Sequence, residues 1–320
     1  MPRSRDKRAH KLSHACAAIV LCAACLLVPG CTAPVHKQAV ALASATAPVI
    51  DKASAAYREV QSVHSQRLDF DAGAALDQTG VFDPSTVQTW PQEKDIDVRL
   101  KVLAAFDLYV KNVVAITNGT DSPALDQASE SLGSDLTSLG NTLAPPVESA
   151  LGIAPAAAAT TTSTTPAPLI SAGTQKGIAE AIDAFGQFLV YRTIQKDLPP
   201  KLVQMDPHVK TLCQLLANDT AILQEQEKLD SNHLIDGWTD LIRNSKVDPL
   251  QRRTAFIQVP LLARRQQADS LLFTDLHAAL VRLELAHHAL AAVAQGNSPE
   301  SLKQKISDLQ SAGASLGKLH

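Results

Sequence analysis

Residues 272–293 read LFTDLHAALVRLELAHHALAAV, and within them Leu272, Leu276, Ala279, Leu283, Ala286, Leu290 and Val293 recur at intervals of four and three without a fault. Six successive steps of this kind mark one face of a long α-helix, because 3.6 residues per turn brings every third or fourth side chain back to the same side. The same spacing describes a coiled-coil seam or the core of an antiparallel bundle. With Leu276, Leu283 and Leu290 at heptad position a and Ala279, Ala286 and Val293 at d, His277 and Glu284 fall at b, His287 at e and His288 at f.

Asp248-Pro249 opens this stretch as an N-cap followed by a first-turn proline, Pro260 predicts a kink or break, and Gly296-Asn297-Ser298-Pro299 closes it. A last helix follows through Leu302, Ile306 and Leu309. Upstream, Asp206-Pro207 reads as the cap of a helix carrying Leu212, Leu215, Leu216, Ile222, Leu223 and Leu229, which loses phase near Ser231-Asn232 and so predicts a bend there. Ile178, Ile182, Phe185 and Leu189 mark another helix, ending at Leu198-Pro199-Pro200. Residues 154–168, APAAAATTTSTTPAP, hold no large apolar group to bury and read as a low-complexity linker or loop.

That linker divides the chain into residues 48–153 and 169–320, which are either two domains or one bundle carrying a long loop. The first half predicts a helix over 48–68, a turn-rich excursion over 69–93 and a helix bearing Val102, Phe106, Tyr109, Val113 and Ile116. Asn118-Gly119 and the Ser122-Pro123 start then lead into a helix through Leu125, Leu132 and Leu136. The stop-and-start segment from Val114 parallels the one from Ala291, either as a duplicated hairpin or as two uses of the same punctuation. The fold class is therefore all-α: an elongated antiparallel helical bundle of about seven helices. Alanine and leucine in place of β-branched clusters agree with this, as does an aromatic content of only 4%.

The N-terminus has the three parts of an export signal. Arg3, Arg5, Lys7, Arg8 and Lys11 precede Ala15–Val28, an uncharged run shorter than the roughly 20 residues a spanning helix needs. It ends in Leu27-Val28-Pro29-Gly30-Cys31, with an aliphatic residue three before a cysteine and a small residue just before it. This resembles the lipobox of bacterial lipoproteins, in which the cysteine thiolate carries diacylglycerol through a thioether. The resemblance covers the signal and Cys31 only. It implies cleavage between Gly30 and Cys31, lipidation of Cys31, and membrane attachment through that lipid. Thr32 in place of aspartate implies delivery to the outer membrane, facing the periplasm. Plain secretory cleavage and an uncleaved anchor are the rivals. Residues 31–47 then read as a small, polar, flexible tether.

The chain has a net charge of −3, and five of its basic residues against one acid lie in residues 1–30, so the remainder is more acidic still. That sign argues against a nucleic-acid partner, and no basic amphipathic stretch suited to anionic lipid stands out. Of five cysteines, only Cys213 lies beyond Cys31, flanked by leucines as a buried small hydrophobe would be. His-Glu-x-x-His and a phosphate-binding glycine loop are missing, and no catalytic residue and no cofactor is assigned.

Glu284 and His287 form a Glu-x-x-His pair of the kind bundle metal sites use. The heptad phase instead puts Glu284, His287, His277 and His288 on a solvated flank and outer face. His277, Glu284 and His288 remain a surface metal candidate, and Arg252, Arg253, Arg264 and Arg265 an anion-binding one. The functional expectation is a membrane-anchored envelope lipoprotein acting as a non-enzymatic scaffold or interaction module, with a partner in the envelope or cell wall. The alternative is a bundle that binds a small ligand or metal in its interior.

Overall fold

The computed structural model describes residues 32–81, 93–120, 122–143, 172–190 and 198–318, and these form seven α-helices with no strand among them. They are α1 (Thr32–Thr79), α2 (Glu93–Asn118), α3 (Pro123–Leu143), α4 (Ala172–Val190), α5 (Leu198–Arg243), α6 (Pro249–Ala294) and α7 (Glu300–Gly317). Gly30, Cys31, Trp90 and the 154–168 linker lie outside the described residues.

Cross-helix hydrogen bonds fix the directions. Gln214 of α5 meets Glu284 of α6, Gln224 meets Ser270, and Gln266 meets Asn232, so one number rises as the other falls and the two helices are antiparallel. Between α1 and α5 the order is the reverse: Tyr57 meets Asp219, His64 meets Asp230, and Asp71 meets His233, so these two run parallel. Helix α7 turns back from α6 and lies along the first part of α1, where Pro48 sits over Gly313. Helices α3 and α4 cross closely at Gly133 and Gly186, where either added Cβ would lie 2.8 Å from the other glycine's carbonyl oxygen.

The expected tether is corrected: residues 32–47 are the first third of α1. Val35, Ala39, Leu42, Thr46, Val49, Ala53, Ala56, Val60 and Val63 alternate four and three and are all buried. Five of the nine are alanine, threonine or a lone valine before residue 48, so a reading that looks for large aliphatic side chains starts the helix too late. Residues 69–79 of the expected excursion are also helical, Gly73 included.

Pro199, Pro200, Pro207 and Pro260 end no helix. Leu198-Pro199-Pro200 opens α5 rather than closing α4, because a first-turn proline has no intrahelical N–H bond to lose. Pro207 and Pro260 lie inside continuous helices, so there is no break at either. Helix α5 also runs through residue 231 without interruption. The apolar phase fades there because acids occupy the inward positions of α5, while Ile222 and Leu229 face out.

The two similar hairpin turns share a backbone geometry. Gly119 and Gly296 adopt positive φ of 61° and 97°. Each chain end then closes with a six-to-one bond, Thr120 N–H to Ala115 O and Asn297 N–H to Ala292 O, and an inner bond from the glycine N–H. This is the Schellman motif, which glycine allows because it carries no Cβ.

Candidate functional site

Along α5 the row Leu202, Met205, Val209, Leu212, Leu216, Asp219, Leu223, Glu227, Asp230, Leu234 faces the interior, and Asp206 lies beside its first part. Four groups of polar side chains assemble on its carboxylates.

At the first, Tyr109 Oη and His287 Nε2 are 2.7 Å apart, and Asp206 is reached by His287 Nδ1 at 3.1 Å and by His288 Nδ1 at 2.7 Å. A carboxylate only accepts, so both Nδ1 atoms donate, and the Tyr109 hydroxyl donates to His287 Nε2 when that ring is neutral and accepts from it when the ring is protonated. Burial would raise the Asp206 carboxyl, but the hydrogen bonds and charge of the two histidines outweigh it and hold it below the usual range. Burial, and then the Asp206 charge, pushes the Tyr109 hydroxyl far up, so it keeps its proton and serves as a donor rather than a nucleophile. The adjoining cavity, lined by Ala39, Leu42, Val113, Leu202 and Leu290 among others, has room for about one water.

At the second, Asp219 Oδ2 accepts from Tyr57 Oη at 2.8 Å and from Arg99 Nε at 2.7 Å, with all three residues buried. Burial raises the Asp219 carboxyl in spite of Arg99, and its Oδ1 accepts no hydrogen bond. Burial, then the charge of Asp219, raises Tyr57 as well. The third gathers three carboxylates, Glu59, Glu227 and Asp269, near the single guanidinium of Arg265, which bonds to Glu59. Ser231 Oγ donates to Glu227 Oε1 at 2.5 Å. Burial pushes Glu227 up to about 7, with the Asp269 charge adding to it, and pushes Asp269 up to about 6, with Glu59 adding to it. At the fourth, His64 Nδ1 lies 2.8 Å from Asp230 Oδ2, Gln226 bonds to the same oxygen, and Arg67 approaches the other at 2.9 Å.

The candidates read from the sequence fall elsewhere. His277 Nδ1 donates to the Ala217 carbonyl, Glu284 accepts from Gln214, and His288 joins Asp206, so each of the three meets a different part of α5. Among the described residues, no group of three or more His, Cys, Asp or Glu is placed to hold a metal ion. His287, expected on a solvated flank, is corrected to a buried position at 1% exposure, because Tyr109 of α2 and Asp206 of α5 close over the e side of α6. The arginines do not converge: Arg252 donates to the Ile242 carbonyl, Arg265 to Glu59, and Arg253 and Arg264 face outward. Cys213 is buried, and burial, then the Glu284 charge, pushes its thiol far up, away from nucleophilic use.

The signal for the missed residues was present. Continuing the α2 stripe backward by four and three from Phe106 reaches Leu103, Arg99 and Ile96, all buried. A charged residue in phase with a core stripe is the sequence mark of such a group.

This arrangement defines an all-α helical bundle in which Asp206, Asp219 and Asp230 of α5 meet polar side chains of other helices. No helix among the described residues is long and apolar enough to cross a membrane. The chain matches no family model, no curated protein and no solved structure.

Proposed function

We propose that the chain is a bacterial envelope lipoprotein, attached to the outer membrane on its periplasmic side by lipid on Cys31, and that its body is a non-enzymatic scaffold or interaction module. The observation that carries this reading is the Leu27-Val28-Pro29-Gly30-Cys31 sequence directly ahead of Thr32, the first residue of a 48-residue helix. Cleavage before Cys31 would leave the acylated residue adjoining that helix, with no flexible spacer. At about 1.5 Å per residue α1 extends about 70 Å, so the lipid would hold one end of a long, stiff body. The buried polar groups support a structural role, since Tyr109 and Cys213 are held in unreactive protonation states and Asp206, Asp219 and Asp230 bond to side chains of other helices.

Charges turned inward along α5 also favour a second reading, an interior site for a small ligand. The space beside His287 and Tyr109 argues for the first, because it admits about one water. The test is growth with labelled palmitate: the native chain takes up label and fractionates with the outer membrane, and Cys31→Ala does neither. Label in Cys31→Ala, or none in the native chain, overturns the lipoprotein reading. Crosslinking in intact cells that recovers no specific envelope or cell-wall partner overturns the scaffold role.

A further inference from the structure

The first half of α6 is covered on one side only. Inward, Ala255, Leu262 and Asp269 are buried, with Leu262 against Val63 of α1 and Leu234 of α5. Outward, Leu250, Arg253, Ile257, Leu261 and Arg264 follow one another at three, four, four and three residues, a single row along the helix, and every one is exposed. Leu250 is 71% exposed, and Phe256, beside the row, 68%. Such residues scattered singly need no explanation; a continuous row of them does.

The charge on this segment is as uneven as its polarity. Residues 249–268 contain four arginines and no acid, within a chain whose net charge is −3. Arg252 and Arg265 turn to Ile242 and Glu59, whereas Arg253 and Arg264 lie in the apolar row itself, three turns apart on the same face. Large aliphatic and aromatic groups interleaved with arginines fit the boundary of an anionic bilayer. There the apolar side chains enter the acyl region and the guanidinium groups reach back to phosphates. A second copy of the chain fits poorly. A two-fold antiparallel pairing of the row sets Arg253 against Arg264 of the other copy, and like charges face each other.

We infer that the outward row of α6 is a docking site for an anionic phospholipid surface. Arg265 meets Glu59 and Gln66, so the row lies beside the last part of α1, about 50–70 Å from Thr32. A chain lipidated at Cys31 would therefore touch membrane at two separated places. The inference does not depend on that lipid, and its test leaves the lipid out.

The described core uses no residue before Val35, so the chain from Thr32 onward carries it whole. That protein is sedimented with vesicles of phosphatidylglycerol and phosphatidylcholine in equal parts, and with vesicles of phosphatidylcholine alone. Expected is partition into the anionic vesicles only, weakened by salt. It should be reduced on the order of tenfold or more in Arg253→Glu/Arg264→Glu, at about 1 kcal/mol per charge near the surface, and also in Ile257→Ser/Leu261→Ser. All four positions are exposed, so circular dichroism melting should be unchanged and the loss attributable to the face. Equal partition into both vesicle types, no partition of the parent protein, or unaltered partition in both variants overturns the inference. So does a sedimentation-velocity dimer that Ile257→Ser/Leu261→Ser abolishes, since a second copy would then cover the row.

Discussion

Arg99 and Asp219, 120 residues apart in the chain, meet at 2.7 Å where both are almost fully buried, at 2% and 1% exposure. Neither has water to fall back on, so each makes the other's burial tolerable. Attraction between the two outweighs their desolvation only while both are present. Arg99→Ala should therefore destabilise the bundle by about 3–5 kcal/mol, leaving Asp219 charged and buried. The double variant Arg99→Met/Asp219→Leu should cost far less than either single change. Urea titration of the three proteins checks this; a double variant as weak as the single ones would show that the pair contributes more than mutual compensation.

Glu227 and Asp269 make stability depend on pH in an unusual direction. Their folded values, about 7 and about 6, lie above those of an unfolded chain, roughly 4.3 and 3.9. Between those limits the folded state holds protons that the unfolded state has released. Their contribution is thus complete below about pH 4 and lost as pH rises through 6 and 7. Asp206, held low by His287 and His288, works the other way and weakens the protein as pH falls below its unfolded value. Thermal stability should be greatest near pH 4 and decline towards pH 8. Glu227→Gln, which keeps an acceptor for Ser231, should flatten that decline.

The α3–α4 crossing depends on having no side chain at Gly186. A Cβ there would lie 2.7 Å from Thr137 Oγ1 and 2.8 Å from the Gly133 carbonyl oxygen. Gly186→Ala should push the helices apart at a cost of about 1–3 kcal/mol, although alanine is the better helix former. Gly73→Ala, with nothing within 4 Å of the new Cβ, should stabilise α1 by up to about 1 kcal/mol. Opposite signs in parallel melting curves would support both readings.

Tyr109→Phe removes the hydroxyl that meets His287 and leaves Nε2 buried without its donor. A loss of about 1–3 kcal/mol is expected. His287→Ala should cost more, because Tyr109 and Asp206 both lose a partner and an apolar gap opens beside Leu290. If either variant were neutral in chemical denaturation, this group would not be holding α2, α5 and α6 together.

Local punctuation in the chain was reliable where it acted locally. Asp248 accepts from the Leu250 N–H with Pro249 in the first turn, and Gly119 and Gly296 close their helices as their neighbours suggested. It failed where tertiary packing overrode it. Pro48, Pro207 and Pro260 each remove one backbone bond, a deficit that helices of 46 to 48 residues absorb without ending. The stretch before residue 48 looked like a tether because alanine and threonine bury little area each, yet Val35, Ala39, Leu42 and Thr46 are buried in phase with the seam that continues to Val63.

By itself the sequence determined that this protein is a set of long helices with seven-residue faces, because helical periodicity depends only on neighbours three and four apart. The residues that resemble an export signal and lipobox also lie in one contiguous run ending at Cys31. With whom each inward polar residue pairs was decided by the tertiary structure alone. His64 and Asp230, 166 residues apart, acquire meaning only when α1 and α5 lie side by side. The same packing left one face of α6 uncovered, where the sequence had marked only Pro260 and a group of arginines. An apolar side chain at helical spacing does not record which of two faces will find a partner.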